Sequence, residues 1–365
     1  MPLYYRTEQG PQVKRAIRPD YAVVDGRREG CEKEENIMTM SRKLVVYLLS
    51  PLMICLTLNG WIKDCQSQEK YPVRPIEIIV PFVPGGTNDL SCRILAAHLS
   101  KRWGVPVNVV NKPGGNTVPA CLEVYNAKAD GHTVLSDGLA SSSMLGQVVK
   151  NPPFVIMDRT FLPMICSCPL TIIVPASSPH KSMKDIEAEV KRNPENFTYA
   201  SLGGTGSPDY VIRQFFKAIG ADVHKMKPVM VQGASAAVTL VAGGHVKMAC
   251  STTASSNVAI SGGLVRAVAI TSKDRLPKLP DVPTTRELGY PTVNFINWVS
   301  ISGPPKMPSY IIEKWEKTVE EILKDPDAIS RLDSMWAAPF YLNSRETKDY
   351  ILQESEEMKR VLVEK

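Results

Sequence analysis

The stretch that decides the fold begins with Ile76-Glu77-Ile78-Ile79-Val80 and continues as Pro81-Phe82-Val83-Pro84-Gly85-Gly86-Thr87-Asn88-Asp89. The first five residues are mostly β-branched and apolar, which predicts a buried strand. The next nine are rich in proline and glycine and predict a turn. From about residue 90 to 103, apolar side chains recur at the spacing of an amphipathic helix. The segment therefore predicts a strand, a turn and a helix in succession.

The same alternation continues downstream. Residues 106–110 predict a second strand, 118–126 a second helix and 132–136 a third strand. Strand, helix, strand, helix and strand in this order are typical of a parallel α/β sheet. This part of the chain therefore predicts one α/β unit.

A second series of alternating elements begins at residue 170. Strands are predicted at 170–174, 197–201, 227–231, 245–250, 265–270 and 298–302, with helices between them and two closing helices at 309–324 and 344–363. A late strand and C-terminal helices left over after two α/β units predict lobes joined by more than one crossover. We expect lobe 1 to comprise residues 66–169 plus 295–365 and lobe 2 to comprise residues 170–294, with a ligand cleft between them.

The composition fits a globular chain of two domains. Of 365 residues, 44% are hydrophobic and 22% are charged, enough apolar surface to exclude a disordered chain. The 43 Lys and Arg residues exceed the 37 Asp and Glu residues by six but form no long basic block, so no nucleic-acid partner is expected. Eight cysteines are too few for a disulfide scaffold, and the five beyond residue 65 are expected to be mostly buried small residues.

One segment near the N-terminus is apolar enough to interact with a membrane. Residues 44–58 form an apolar run behind Arg42 and Lys43, the pattern of a secretory signal peptide, which we place at residues 38–65. About 20 apolar residues are needed to span a bilayer, and Pro51 interrupts this run. We therefore expect export to the periplasm; free secretion and a lipid anchor at a cysteine such as Cys65 both stay open.

The residues ahead of this run have a separate explanation. Lys33-Glu34-Glu35 can be encoded by a purine-rich ribosome-binding sequence just upstream of Met38. We therefore expect residues 1–37 to be a non-native extension, untranslated in the native gene.

Common catalytic motifs are missing. The five histidines show no paired metal-ligand spacing, and neither a phosphate-binding Walker sequence nor a dinucleotide fingerprint occurs. The sequence Gly233-Ala234-Ser235-Ala236 approaches a nucleophile elbow, but Ala237 occupies the final glycine position. We therefore expect no metal, no cofactor and no enzymatic activity.

Two glycine-rich turns are the main binding candidates. Pro84-Gly85-Gly86-Thr87-Asn88-Asp89 and Gly203-Gly204-Thr205-Gly206-Ser207 each open onto the first amides of a predicted helix. Two such N-termini facing each other across a cleft would hold a carboxylate without an arginine. Either turn alone is more often a tight turn with a helix cap. Asp89 is expected to hold its turn, because its charge would repel an anion.

Weaker candidates lie at other strand ends. Ser136 and Ser141 follow a strand at its carboxyl end, where open α/β sheets bind ligands, although serine-rich turns are usually solvated. Residues 232–235 are another strand-to-helix turn, and Thr252 follows the strand at 245–250. Trp298 is a candidate apolar wall of the cleft, although a tryptophan at such a position is more often part of a core or hinge.

Several motifs together resemble one known family. Tyr71-Pro72-Val73-Arg74-Pro75-Ile76 followed by residues 80–89 resembles the opening of the tripartite tricarboxylate transporter substrate-binding receptors, the Bug family. Further similar segments are 110–116, 129–133, Ser207-Pro208, 279–285, Trp298 and Gly303-Pro304-Pro305. These segments span nearly all of residues 70–365 in order.

The resemblance implies a periplasmic receptor of the Venus-flytrap type, with two α/β domains, that delivers a small carboxylate to a membrane permease. In the family, the turns matching residues 82–89 and 204–207 grip a carboxylate through backbone amides and waters. By the same carry-over, residues 232–235 and those after Cys250 contact the distal end of the ligand. We also expect a monomer. The predicted ligand-binding residues are Phe82, Pro84, Gly85, Gly86, Thr87, Asn88, Asp89, Ser136, Ser141, Gly204, Thr205, Gly206, Ser207, Gln232, Gly233, Ala234, Ser235, Thr252 and Trp298.

This chain departs from the family pattern in places. Asp209 stands where many members have histidine, and Lys247 interrupts a strand end that is often Val-Asp. Many members also have an aspartate near residues 251–253 that meets a ligand amine, and this chain has none. The departures favour a plain or hydroxylated carboxylate over an amino acid. Two other functions stay open: an enzyme on the same scaffold, and a ligand-sensing module for a membrane signalling partner.

Overall fold

The computed structural model describes residues 70–204 and 206–363, with side chains through residue 359. The predictions for residues 1–37, for the signal peptide at 38–65 and for Thr205 lie outside the described residues. No described helix has the length and apolar character that a membrane span requires.

The described elements alternate between strands and helices. In chain order they are β1 (Ile76–Val80), α1 (Thr87–Trp103), β2 (Val107–Asn111), α2 (Val118–Tyr125), β3 (Thr133–Asp137), α3 (Leu145–Val148), β4 (Arg159–Pro175), α4 (Met183–Arg192), β5 (Thr198–Ser201), α5 (Ser207–Ala218), β6 (Lys227–Met230), α6 (Ala234–Ala242), β7 (Ala249–Thr252), α7 (Thr253–Ser261), β8 (Val265–Ile270), β9 (Ile296–Pro305), α8 (Ser309–Leu323), α9 (Pro326–Ser334), β10 (Ala338–Pro339) and α10 (Ser344–Val363).

Strand β1 lies at the centre of the first lobe. It pairs in parallel with β2 on one side and β3 on the other. Successive side chains of a strand point to opposite faces. Ile76 and Ile78 accordingly pack in one hydrophobic core and Ile79 in another. The parallel α/β unit predicted for this region is confirmed.

Strand β4 connects the two lobes. Its first part, residues 159–169, pairs with β9 in the first lobe. From Leu170 onward the same strand pairs with β7 and β8 in the second lobe. The sequence predicted only residues 170–174, because Pro163 and Pro169 and the register shifts of this strand obscure its pattern.

The second lobe is a smaller α/β unit. Strands β5 and β6 pair in parallel, and Tyr199 of β5 forms a bridge to Met248, just before β7. Phe197, Phe215 and Phe216 are buried in the main core of this lobe. Two α/β lobes joined by long strands, as predicted, are confirmed; the residue boundaries of the lobes stay a prediction.

The C-terminal helices return to the first lobe. Trp315 of α8 is fully buried and donates its indole N–H to the hydroxyl of Tyr71 at 2.8 Å. Helix α9 was not predicted, although Asp325 caps it and Pro326 occupies its first turn, a recognised start signal. The strand predicted at 245–250 is also displaced and forms at Ala249–Thr252, because Gly244, at φ +69°, extends the preceding turn.

The five described cysteines are free and buried, as expected: Cys92, Cys121, Cys166, Cys168 and Cys250. Burial raises the pKa of each thiol, so these side chains are kept in the neutral form.

Candidate functional site

Turns from both lobes enclose a cavity of about 50 Å³. The first lobe contributes the β1–α1 turn and the residues after β3, and the second lobe contributes the starts of α5, α6 and α7. The cavity is lined by Phe82, Val83, Gly86, Thr87, Asn88, Gly138, Leu139, Ala140, Leu202, Gly206, Ser207, Pro208, Gly233, Ala234, Thr252 and Asn297. No residue in this set carries a charge, and the predicted turns at residues 82–89 and 204–207 both reach the cavity.

The β1–α1 turn is fixed by a buried carboxylate. Gly85 adopts a φ of +85° and donates its backbone N–H to Asp89 Oδ2 at 2.9 Å. Asn111 and Arg93 contact the other oxygen at 3.0 and 2.8 Å. Burial alone would raise the pKa of Asp89, but the hydrogen bonds from Arg93, Gly85 and Asn111 lower it below its ordinary value. Asp89 therefore holds the turn, and its charge is already compensated.

The β5–α5 turn uses glycines in a conformation that other residues rarely adopt. Gly203, Gly204 and Gly206 have φ angles of +86°, +82° and +91°. A Cβ atom at Gly204 would lie 2.6 Å from the guanidinium of Arg213. The backbone conformation therefore favours glycine here, and a larger residue at Gly204 would also displace the Arg213 guanidinium.

Asp209 lies beneath this turn and does not line the cavity. Its carboxylate accepts hydrogen bonds from the Ser201 hydroxyl at 2.6 Å and from the Leu202 N–H at 2.7 Å. Burial raises the pKa of Asp209 to about 6, although these hydrogen bonds oppose the shift. The residue that replaces the histidine of the family pattern thus supports the glycine turn from behind.

Four helix N-termini at the cavity have no side-chain cap. The N-cap residues of α1, α5 and α6 are Gly86, Gly206 and Gly233, which have no side chain to offer. The N-cap of α7 is Thr252, whose hydroxyl accepts a hydrogen bond from Thr87 at 2.6 Å. The first N–H groups of a helix have no partner within it and lie at the positive end of its dipole. The cavity is therefore complementary to an anion.

Hydrogen bonds also join the lobes around the cavity. Besides the bond from Thr87 to Thr252, the Ser207 hydroxyl donates to Asn297 Oδ1 at 2.6 Å. The Ser235 hydroxyl donates to the carbonyl of Pro84 at 3.1 Å. Neither Pro84 nor Ser235 lines the cavity, but each directly follows a lining residue, Val83 or Ala234.

A second cavity of about 170 Å³ adjoins the first and shares Phe82 and Leu202 with it. It lies between residues 114–117 of the first lobe and 230–232 of the second, so Gln232 lines this cavity and not the smaller one. The two walls approach closely. A Cβ atom placed at Gly203 would lie only 3.0 Å from Asn116 Oδ1. Its lining residues are also uncharged.

Ser136 and Ser141 support the cavity wall from outside. The hydroxyl of Ser136 accepts a hydrogen bond from Asn88 at 3.0 Å, which orients that amide beside the cavity. The Ser141 hydroxyl bonds to Asp137, and its carbonyl accepts from Arg159 at 2.8 Å. Both serines are fully buried and neither lines the cavity.

Trp298 does not line the cavity, contrary to the expectation that it forms an apolar wall of the cleft. Its ring is buried in a core with Phe161, Met164 and Ile351. Its indole N–H donates to Glu354 at 2.9 Å. The side chain follows the alternation of β9 to the face opposite the cavity, so only its backbone carbonyl comes near Gly138.

Seven lining residues are absent from the predicted ligand-binding residues: Val83, Gly138, Leu139, Ala140, Leu202, Pro208 and Asn297. Gly138, Leu139 and Ala140 directly follow β3, where the sequence predicts only Ser136 and Ser141 as ligand-binding residues. Asn297 is the second residue of the crossover strand β9, and no local motif marks it. A fully buried ion pair between Asp137 and Arg159, 3.0 Å apart, holds the residues after β3 in place.

The other departure from the family pattern lies away from the cavities. Lys247 forms an ion pair with Glu189, and its ammonium group lies 6.0 Å from the ring centre of Phe197. Within residues 70–204 and 206–363, no group of three or more His, Cys, Asp or Glu side chains is placed to hold a metal ion.

Comparison with known sequences gives one family. Residues 91–365 match the family model described as the tripartite tricarboxylate transporter family receptor. A protein of Agrobacterium vitis is 29% identical over 309 residues, which are 84% of this chain and 86% of that protein. BugT of Bordetella pertussis is 29% identical over 290 residues, or 79% of this chain and 88% of BugT.

Solved structures share the fold. The periplasmic binding protein BugD superposes with a TM-score of 0.74 at 26% identity, covering 80% of this chain and 98% of BugD. MatC of Rhodopseudomonas palustris with bound malate gives 0.74 at 23% identity, over 80% of this chain and all of MatC. A second protein of that organism, with adipate, gives 0.75 at 23% identity, over 80% and 97%. The fold is therefore the bilobal periplasmic-binding-protein fold.

Proposed function

This chain belongs to the tripartite tricarboxylate transporter receptor family, and from that premise we propose that it is an exported receptor that captures a small carboxylate between its lobes. It then delivers the ligand to a membrane permease of the same transport system. We propose that it acts in the periplasm as a monomer and catalyses no reaction.

The convergence of four uncapped helix N-termini on one cavity carries this proposal. Each terminus presents unpaired N–H groups and about half a positive charge. The lining is uncharged among the described residues, so a bound anion would meet no opposing carboxylate. Backbone amides from both lobes would then hold one carboxylate group, with Gly86, Thr87, Asn88, Ser207 and Ala234 as the nearest contributors.

The ligand class follows from the two adjoining cavities. The cavity of about 50 Å³ suits a single carboxylate, and the neighbouring cavity of about 170 Å³ has room for the remainder of a small acid. Asn116 and Gln232 would meet hydroxyl or carboxyl oxygens there. The relatives with malate and adipate bind ligands of this size and type. We propose a plain or hydroxylated carboxylate as the ligand.

Lobe closure is the proposed mechanism. A ligand that contacts both lobes stabilises the arrangement in which they meet, by as much as its affinities for the closed and open arrangements differ. The bonds from Thr87 to Thr252, Ser207 to Asn297 and Ser235 to Pro84 form only when the lobes meet. The permease would recognise this closed arrangement.

Native mass spectrometry of protein purified without refolding, followed by calorimetry with malate and adipate, tests the proposal. We expect a co-purified small acid and saturable binding of at least one of the two dicarboxylates. The acid should be recovered unchanged after prolonged incubation. A protein that carries no acid and binds neither compound, or that converts the acid to another product, would contradict the proposal.

A further inference from the structure

A third cavity lies apart from the cleft and shares no lining residue with the two cavities described above. Its volume is about 450 Å³. One wall is formed by α10, and the other by residues 271–273 and 285–286 of the second lobe. The floor includes Phe295 and Ile296, where the chain crosses into β9. We call it the hinge cavity; its volume lies within the range of small-molecule sites.

The hinge cavity contains a buried carboxylate without a cation. Glu354 of α10 lines the cavity and is only 6% exposed. It accepts hydrogen bonds from the Ser143 hydroxyl and from the Trp298 indole at 2.9 Å, both neutral donors. Across the described part of the chain, no lysine, arginine or histidine pairs with it. Burial raises the pKa of Glu354 to about 7, and the neighbouring Glu357 adds to the shift.

Aromatic residues share the lining of the hinge cavity with this carboxylate. Tyr210, Phe295 and Tyr350 line the same cavity. The rings of Tyr210 and Phe295 are 5.3 Å apart between centroids, at an interplanar angle of 72°. Aromatic faces attract an organic cation, and a buried carboxylate beside them attracts it further. This side of the cavity is therefore complementary to an ammonium group.

The second-lobe wall has the opposite charge. Lys273 and Arg286 line the cavity and are exposed to solvent. Two cationic side chains facing Glu354 and Glu357 across one cavity form a dipolar site. A ligand with only a positive or only a negative charge would meet a repulsive wall as well as an attractive one.

We propose that the hinge cavity binds a small zwitterion of the amino-acid class. Its ammonium group contacts Glu354 among the aromatic rings, its carboxylate contacts Lys273 and Arg286, and its side chain packs on Phe295 and Met358. This site is separate from the carboxylate site of the cleft and does not depend on it.

Calorimetry with three matched probes tests this site. L-Leucine has both charges, 4-methylpentanoate lacks the ammonium group and 3-methylbutylamine lacks the carboxylate. We expect leucine to bind at least tenfold more tightly than either single-charge probe. No detectable binding of leucine, or equal binding of all three probes, would overturn the proposal.

Matched variants locate the binding. Glu354→Gln keeps an acceptor for Trp298 and a partner for Ser143 but removes the negative charge, and it should weaken leucine binding at least tenfold. Glu356→Gln, at an exposed position on the same helix that does not line the cavity, should leave it unchanged. Leucine binding that Glu354→Gln leaves unchanged would place it outside this cavity and refute the proposal.

Discussion

The cleft and the hinge cavity recognise charge by opposite means. Around the cleft, glycine, serine and threonine expose helix N-termini, and none of the described lining residues is charged. Around the hinge cavity, charged side chains from α10 and from the second lobe face each other. Charge complementarity in the first region depends on backbone conformation, and in the second on side-chain identity. A substitution that adds volume should therefore affect the cleft, and one that removes charge should affect the hinge cavity.

Each region also has one buried carboxyl group with a raised pKa. Asp209 lies behind the cleft turn and is fully engaged with Ser201 and Leu202. Glu354 faces the hinge cavity and has only neutral partners. The first supports a site from behind, whereas the second is placed to contact a ligand.

The largest expected effect is on the backbone of the cleft. Gly206→Val places a β-branched residue at φ +91° with its methyl groups toward the cavity, between Leu202 and Ala140. We expect affinity for the cleft carboxylate to fall about 1,000-fold, close to 4 kcal/mol, measured by calorimetry with malate.

The control for this variant lies at the other end of the same helix. Gly220 has a φ of +69° and open space around its Cβ position. Gly220→Val imposes similar backbone strain away from the cavity, so it should lower stability without changing affinity. Equal affinity of the two variants would mean that the cleft turn does not bind the ligand.

A smaller effect is expected on stability as a function of pH. Glu354 binds its proton more tightly in the folded state, at a pKa of about 7, than its ordinary value of 4.5. Its contribution to stability is full below about pH 4.5 and is lost as the pH rises through 7. Between pH 6 and 8 we expect the free energy of unfolding to fall by roughly 1–2 kcal/mol.

Denaturant unfolding of Glu354→Gln checks this expectation, because the variant should lose most of the fall between pH 6 and 8. Asp209→Asn provides the comparison from the cleft. In the wild-type protein the pKa of Asp209 is raised from 3.8 to about 6, so the contribution of this group to stability is lost mainly between pH 4 and 6. If Glu354→Gln retains the wild-type dependence above pH 6, the carboxyl group does not titrate as described.

The smallest effect concerns the contact between the lobes. Ser235→Ala removes the hydrogen bond to the Pro84 carbonyl, a neutral bond that contributes about 1 kcal/mol. We expect about a fivefold loss of affinity for malate. Ser261→Ala, at an exposed position at the end of α7, should have no effect. Equal affinities of these two variants would show that this bond does not contribute to closure.

The sequence predicted what local patterns encode. The β1–α1 unit followed from a run of β-branched residues, a glycine turn and helical spacing, and the structure has all three. Most of strand β4 could not be predicted from the sequence, because its prolines and register shifts interrupt the alternation of apolar and polar residues that marks a strand. Helix α9 has a local start signal in Asp325-Pro326, a capping residue followed by a proline in the first turn.

The site was predictable where it depends on backbone. Glycine turns at strand ends mark helix N-termini, so the turns at residues 82–89 and 204–207 could be found without coordinates. The direction in which a side chain points could not be predicted from the sequence. Trp298 and Ser136 therefore lie outside the cavity lining, although they were predicted to bind the ligand. The hinge cavity was unpredictable because it joins Lys273, Phe295 and Glu354 from three distant segments with no shared motif.

The most direct test of recognition by backbone amides is NMR of protein labelled with ¹⁵N only at glycine, titrated with malate. We predict that saturation shifts the amide resonances of Gly86, Gly138, Gly206 and Gly233, which line the cavity. Gly220 and Gly262, at the ends of α5 and α7, should not move. Saturable malate binding that leaves the four cavity glycines unshifted would contradict the account.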